Sequence, residues 1–468
     1  MFRISVYVLL EEKMVKKRSV NLTSGNIFLQ ILTFALPIML GQIFQNLYNS
    51  VDSIVVGRFV GTTALAAVSS CSDISMLLTG FFTGLATGST VLFARYFGAG
   101  DDSSLSEAIH TAVTFAVILG IVMAGLGIIF TPFLLTIVGC PADVWREASL
   151  YLRVYLIGIL FTSIYNVGSG ILRAVGDSRR PFYILVVASC VNIVADLITV
   201  VWLGMGVLGV ALATICSQAI SVTLVFSILV RTEESYRVEP SRLHINGPML
   251  REVISLGIPS AVQSSLVSTS NLFVQRYINS FGSRAMAGTG AAKKIDKFVG
   301  VAASSIGQAL TTFVGQNVGA KKYSRAFKGI RTALAMGIFV IVSLGIPVIV
   351  FSEKFVNIFT SDPRAVGYGI RLIRIMMPLY FLSTINQVFS NAVRGFGKSL
   401  AVMFFSVFGM IVCRQVFLFI AMRIRYDIRV VYLGYPVGWF FAALFVVIYY
   451  FIVIKKRYGK LADGVVLA

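Results

Sequence analysis

Residues Leu36–Gly57 read LPIMLGQIFQNLYNSVDSIVVG, and the reading of this stretch decides the fold. It is apolar enough to enter a bilayer, yet it carries one carboxylate, Asp52. Gln42, Gln45, Asn46, Asn49, Asp52 and Ser53 recur every three or four residues. On a helix that spacing draws a single polar stripe along an apolar cylinder. Pro37, near the start, removes a helical hydrogen bond and predicts a bend. A lone carboxylate in hydrocarbon is costly, so Asp52 is expected to face protein or a water-filled cavity.

The rest of the chain has the same character. Of its 468 residues 57% are hydrophobic and 13% charged; the mean hydropathy is +0.86. No soluble core needs so much apolar sequence, and a multi-span α-helical membrane protein is the class that fits. The formal charge is +20, from 40 Lys and Arg against 20 Asp and Glu. In a soluble chain this would suggest nucleic acid; here basic residues mark the cytoplasmic loops and touch anionic headgroups, and no nucleic-acid partner is expected. The five cysteines have no metal-ligand or disulfide spacing, and two histidines, His110 and His244, are too few for a metal site.

Hydropathy predicts twelve spans, about 27–58, 63–96, 104–131, 144–172, 181–203, 207–230, 250–280, 284–315, 325–352, 365–393, 398–422 and 430–454. The sequence also repeats itself. Shifted by 221 residues, Phe97-Gly98-Ala99 meets Val318-Gly319-Ala320, and Arg173, Gly176 and Ser178 meet Arg394, Gly397 and Ser399. Pro37 meets Pro259 with a one-residue slip. Six crossings per half is an even number, so both halves enter from the same side. The predicted fold is therefore all-α and integral to the membrane: two six-helix lobes related by a pseudo-twofold axis along the membrane normal. The expected segments are a cytoplasmic lead 1–26, a first lobe 27–230, a cytoplasmic linker 231–249, a second lobe 250–454 and a cytoplasmic tail 455–468. Pro37 and Pro259 are the expected helix bends.

Only Asp52, Asp73, Asp196 and Asp296 among the acids fall well inside apolar spans. Intramembrane ionisable groups are functional candidates by default. At 1.5 Å per residue Asp196 lies about 22 Å up the fifth span, in the same outer half of the first lobe as Asp52. Asn192 lies one turn before it, Asn166 on the fourth span, Thr214 on the sixth. Two carboxylates, two amides and a hydroxyl suit a small hard cation, or a proton shared by the acids. Asp52 and Asp196 are the expected ligands of such an ion, sodium included. The repeat positions of Asp196, Asn192 and Asn166 are Phe417, Cys413 and Gln387, so the site belongs to the first lobe alone. The second lobe instead carries Lys293, Lys294 and Lys297 beside Asp296 on the eighth span, and Arg414 on the eleventh. Lys294 falls at the repeat position of Asp73, and the two are expected to pair in one access state. Gln42, Gln45, Asn49, Asp73, Gln263, Asn271 and Lys294 are the expected lining of a central cavity. No phosphate-binding loop or catalytic constellation is seen, so neither an enzyme nor an ATP-driven pump is expected.

At LTFALPIMLGQIFQNLYNSVDSIVVGRFVG, at ARYFGAGD with its mate VGQNVGAKK, and at LRAVGDSRRP, the chain resembles the multidrug and toxic compound extrusion (MATE) family. The resemblance covers nearly everything after Asn21. It implies an antiporter in the cell membrane, both termini cytoplasmic, that exports organic, cationic or amphipathic drug-like compounds against inward sodium or proton flow by alternating access. In one branch of the family a first-lobe cluster binds the coupling cation, and the matching positions are Asp52, Asn166, Asn192, Asp196 and Thr214. Another branch has an acid about eight residues after the seventh-span proline; here SAVQSSLVSTSN offers none. The implied partners are a small organic substrate and the lipid bilayer, the implied state a monomer, and the only implied cofactor the coupling sodium ion or proton. A lipid or lipid-linked oligosaccharide flippase of the same superfamily is the alternative, and a channel or receptor a more distant one.

Overall fold

The computed structural model describes residues 20–462. Most of the expected lead 1–26 and the last residues of the tail 455–468 lie outside the described residues. Twelve long helices account for nearly all of what is described. They are α1 (Ile27–Val55), α2 (Thr62–Ala99), α3 (Asp102–Ile129), α4 (Trp145–Ala174), α5 (Arg179–Asp196) and α6 (Gly206–Arg231). They continue with α7 (Gly247–Asn279), α8 (Ser283–Gly319) and α9 (Tyr323–Val350). The last three are each composite: α10 (Pro363–Met376 with Tyr380–Gly395), α11 (Ser399–Val407 with Arg414–Ile424) and α12 (Ile428–Tyr449 with Lys456–Ala462). Eleven are long and apolar enough to cross a membrane. The twelfth, α7, has the length, but a stripe of Ser264, Ser268, Asn271 and Gln275 lowers its hydropathy. Large apolar side chains such as Phe339, Ile346 and Val350 stand exposed on α9, as lipid-facing positions should.

The chain divides into two compact units, and the division cuts through two helices. One unit takes Leu40–Ala261; the other takes Leu22–Met39 and 262–462. The first half of α1 thus belongs with the later helices, and the first half of α7 with the earlier ones. Both switches fall two to three residues after a proline inside the helix, Pro37 in α1 and Pro259 in α7. A proline frees the carbonyl one turn back and weakens the ladder there, so the two halves of each helix can follow different neighbours.

Packing explains each allegiance. In the first unit α2 presents Gly84 and Gly88 to α7. A Cβ on Gly88 would stand 2.3 Å from the Leu256 carbonyl oxygen, and one on Gly84 would stand 2.5 Å from that of Ser260. Only glycine permits that backbone approach, which is how small residues join membrane helices. In the second unit Ile31, Phe34, Ala35 and Ile38 of α1 enter a buried cluster with Ile306, Leu310 and Phe313 of α8. The lead-in chains are tied down too. The Leu22 amide donates to Gln316 Oε1 at 2.9 Å, Asn317 Nδ2 donates to the Leu22 carbonyl at 3.2 Å, and Lys322 Nζ donates to the Thr23 carbonyl at 2.9 Å. These donors and acceptors come from VGQNVGAKK. Its repeat mate does the matching work in the first unit: Tyr96 of ARYFGAGD donates to Glu252 Oε2 at 3.2 Å, at the head of α7.

The repeat is visible in the backbone itself. Gly61 and Gly282, Gly100 and Lys321, and Gly176 and Gly397 are pairs 221 residues apart, and all six have positive φ, from 57° to 117°. Residues 232–246, joining α6 to α7, are ordered on the first unit. The Glu239 amide donates to His110 Nε2 at 3.0 Å, and the Asn246 amide donates to Thr111 Oγ1 at 3.2 Å. His244 reaches Glu107 Oε2 at 3.1 Å and the Arg242 carbonyl at 2.8 Å. Those two acceptors, the carbonyl first, hold its imidazolium and raise its pKa above the ordinary histidine value.

Candidate functional site

Asp52 lies one turn before the end of α1, where the helix widens into a π-helical turn, Val56–Val60. Asp196 is the last residue of α5 before another π-helical turn, Leu197–Trp202. Such turns disturb the regular backbone ladder and often mark functional positions. Both residues are in the first unit, and their carboxyl groups come within hydrogen-bonding reach of each other. Yet two carboxylates offer acceptors only. Asp196 is 1% exposed, and both of its oxygens, like Asp52 Oδ1, are buried with no hydrogen-bond partner among the described residues. Asn192, 2% exposed and one turn before Asp196, has an unpartnered buried Oδ1 as well. Four buried oxygens therefore lack a donor in one small region of the first unit.

The other two expected members are placed differently. Asn166 donates to the Thr162 carbonyl of its own helix at 2.8 Å, and Thr214 donates to the Val210 carbonyl at 3.0 Å. Both are half-buried, and both keep acceptor capacity. Two tyrosines complete the surroundings and were missed in the sequence. Tyr48, hydrogen-bonded to Gln45, and Tyr151 of α4 lie close enough to Asp52 to sense its charge. Tyr48 sits one turn before Asp52 within the opening stretch, so its spacing could have found it. Tyr151 has no such local signal; stacking on Tyr155 at 6.0 Å places it.

The residues expected to line a cavity scatter over both units. Gln42 and Gln45 are half-buried and Asn49 is exposed on α1, and Asp73 is half-buried on α2. Gln263 is buried in the second unit, where Nε2 donates to Ser406 Oγ at 2.6 Å and Oε1 accepts from Arg394. Asn271 accepts from Arg414 Nη1 at 3.0 Å. Lys294 is exposed on α8, with its ammonium 5.2 Å from the Phe359 ring centre. Among the described residues no three His, Cys, Asp or Glu side chains converge on a common point. The carboxylate pair is thus a two-acid site, in which amide, hydroxyl or water oxygens would complete any ion's shell.

The family model MatE matches this chain twice, over residues 37–198 and 259–420. The chain belongs to the MatE family. The two matches fall on the two halves of the repeat, and each begins at the proline of α1 or α7. A relative from Bacillus subtilis, named as a probable multidrug resistance protein, is 29% identical over 91% of this chain and 93% of its own. A relative from Shewanella oneidensis named as a FAD transporter is 22% identical over 81% of this chain and 85% of its own. A solved structure described as the outward-facing conformation of a multidrug resistance MATE family transporter of the MOP superfamily superposes with a TM-score of 0.86. It is 24% identical, and the match covers 96% of this chain and 99% of that one. This MatE protein is accordingly a multi-pass membrane protein with the two-lobed transporter fold of its family.

Proposed function

We propose that this MatE protein is a secondary antiporter in the cell membrane that exports small organic, drug-like compounds against an inward flow of sodium ions or protons. The observation that carries the proposal is the meeting of Asp52 and Asp196 without a donor between them. A buried carboxylate and a half-buried one within reach of each other repel unless a proton is shared or a cation sits between them. Loading the pair removes that repulsion, and unloading restores it. Asn192 beside Asp196, with Asn166 and Thr214 on α4 and α6, would supply further oxygens to a sodium ion.

The ion also has a mechanical route. Asp52 is carried by α1, which changes unit just after Pro37. A change of charge at Asp52 therefore acts on a helix shared by both units, as alternating access requires. The Lys and Arg of the connections, Arg231, Arg237 and Arg242 among them, support cytoplasmic termini. A single chain supplies both lobes, so a monomer suffices, and no cofactor beyond the coupling ion is needed.

The test is efflux from proteoliposomes with sodium and pH gradients imposed independently. Efflux driven by one of them, lost in Asp52→Asn and in Asp196→Asn while both variants stay folded, is expected. Full gradient-driven efflux in either variant would sink the assignment.

A further inference from the structure

The second unit buries cations without enough anions to balance them. Arg414 follows the π-helical turn Phe408–Cys413 of α11 and is 1% exposed. Its Nη1 donates to Asn271 Oδ1 at 3.0 Å and its Nη2 to Ser270 Oγ at 2.5 Å. Its Nε is buried with no partner among the described residues. The guanidinium carbon lies 5.7 Å from the centre of the Tyr435 ring, on α12. The ammonium of Lys293, on α8, lies 5.5 Å from the centre of the same ring. Lys293 is half-buried and donates to Gln275 Oε1 at 2.9 Å. The Tyr435 hydroxyl is itself buried and unpartnered. Among the described residues the acid at this cluster is Asp296, near Tyr380 and Lys293. Two cations against one acid leave a net positive charge.

Such an arrangement is expensive as mere packing. A buried cation without a counter-charge carries an unrecovered desolvation cost, and Gln or Met would fill the same space without it. Lys293 and Arg414 are near enough to repel one another, which adds to it. The unused groups share one chemical sense: guanidinium N–H, ammonium N–H and phenol O–H all donate. Their complement is an acceptor with negative charge. The surroundings are aromatic, with Trp439 one turn beyond Tyr435 and its ring 5.1 Å from that of Tyr380. Lys293, half-buried where Arg414 is fully buried, gives the way in.

We propose that Lys293, Arg414 and Tyr435 bind the acidic group, carboxylate or phosphate, of a soluble aromatic anion, and that such compounds are among those transported. The second clause rests on the antiporter reading; the first does not. Charge-assisted bonds to an oxyanion from Arg and Lys are the strong kind, and Tyr435 completes them.

The experiment has two arms. In the first, purified full-length protein in detergent is titrated with carboxyfluorescein, and in parallel with the cation ethidium, and anisotropy is read with no gradient present. Saturable carboxyfluorescein binding is expected, weakened at least about tenfold by Lys293→Met and further by Arg414→Gln, with ethidium binding unchanged by Lys293→Met. If Arg414→Gln does not fold, the half-exposed Lys293→Met decides alone. The proposal is overturned by absent saturable binding, by equal affinity in Lys293→Met, or by displacement of the dye with phosphatidylglycerol micelles but not with excess benzoate or phenyl phosphate. In the second arm the dye is followed out of proteoliposomes under sodium or pH gradients. Binding that survives in the first arm while no gradient moves either dye refutes the antiporter reading and leaves the anion site standing.

Discussion

Helices α5 and α11 stand 221 residues apart in the repeat, yet one buries an acid and the other a base. Asp196 closes the regular part of α5 just before a π-helical turn; Arg414 opens the second part of α11 just after one. Both are 1% exposed. The units around them differ in the same sense. Asp52, Asp73 and Asp196 lie in the membrane segments of the first, and Lys293, Lys294, Lys297 and Arg414 against Asp296 in those of the second. What the two units share is backbone: left-handed turns at three equivalent places, and a foreign half-helix received against α2 in one and α8 in the other. Backbone strain and close helix contact tolerate few residues, so a duplicated fold must keep them. A side-chain charge is under no such backbone constraint, and the two units carry opposite signs at these places.

That contrast can be broken, and the strongest blow falls on the acids. Asp196→Asn and Asp52→Asn should abolish gradient-driven efflux, because a neutral amide neither shares a proton nor draws a cation to the pair. Unchanged melting in detergent would show that the loss is functional. If an equivalent loss of coupling followed from Asp296→Asn in the second unit, the one-sided picture would fail.

The next effect tests the shared framework. Gly88→Val places a side chain into the Leu256 backbone, 2.3 Å away even at Cβ. Overpacking of this kind costs about 1–3 kcal/mol or more, read as a lower melting temperature and poorer recovery of folded protein. Its repeat mate in the second unit is Ala309, already a Cβ. A mild Gly88→Val phenotype would mean that the α7 half-helix is not held in the first unit as closely as the structure has it.

Gly100 and Lys321 sharpen the same point more gently. They occupy the same left-handed turn, at φ 70° and 57°. Gly100→Ala should destabilise by about 1 kcal/mol, whereas Lys321→Gly should stabilise by up to about 1 kcal/mol, the relief of the left-handed penalty less glycine's entropy. Shifts of equal sign in thermal melting would break the equivalence of the two turns.

The smallest expected effect separates the units by pH. The folded-state pKa of His244 lies above the ordinary histidine value of about 6.5, so its contribution to order is full below that pH and fades as pH rises through the raised value. Amide exchange, corrected for its intrinsic pH dependence, should therefore quicken across 239–249 on the alkaline side. His244→Gln should flatten the profile. The second unit has no such histidine, and its exchange should not follow this curve.

Much of this was legible beforehand, for physical reasons tied to particular residues. The Leu36–Gly57 stripe pointed to a membrane helix with one acid within it, because hydropathy and a 3.6-residue period are local properties. Asp196 was paired with Asp52 by counting rise per residue, and Asn192 by its one-turn spacing. Thr214, and Asn166 somewhat lower, were grouped with them by the same count, but their side chains bond their own helices, a choice of acceptor that spacing does not resolve. Gln263, read as cavity lining, forms a bonded network with Arg394 and Ser406 that brings together residues far apart in the chain. His110, set aside as a stray histidine, caps the backbone of the linker at Glu239. Tyr151 owes its place near Asp52 to packing between α1 and α4.

By itself the sequence determined the helical membrane class, the duplication, the two prolines and the confinement of the paired acids to the first half. All of these follow from composition, period and offset along one chain. Only the tertiary structure decided that α1 and α7 each begin in one unit and continue in the other. It alone showed that Asp52 and Asp196 meet with no donor between them, and that Lys293 and Arg414 share the Tyr435 ring. Those outcomes depend on how backbones separated by more than a hundred residues approach one another. Such an approach is set by Gly88 against Leu256, or by Leu22 against Gln316, and no local pattern encodes it.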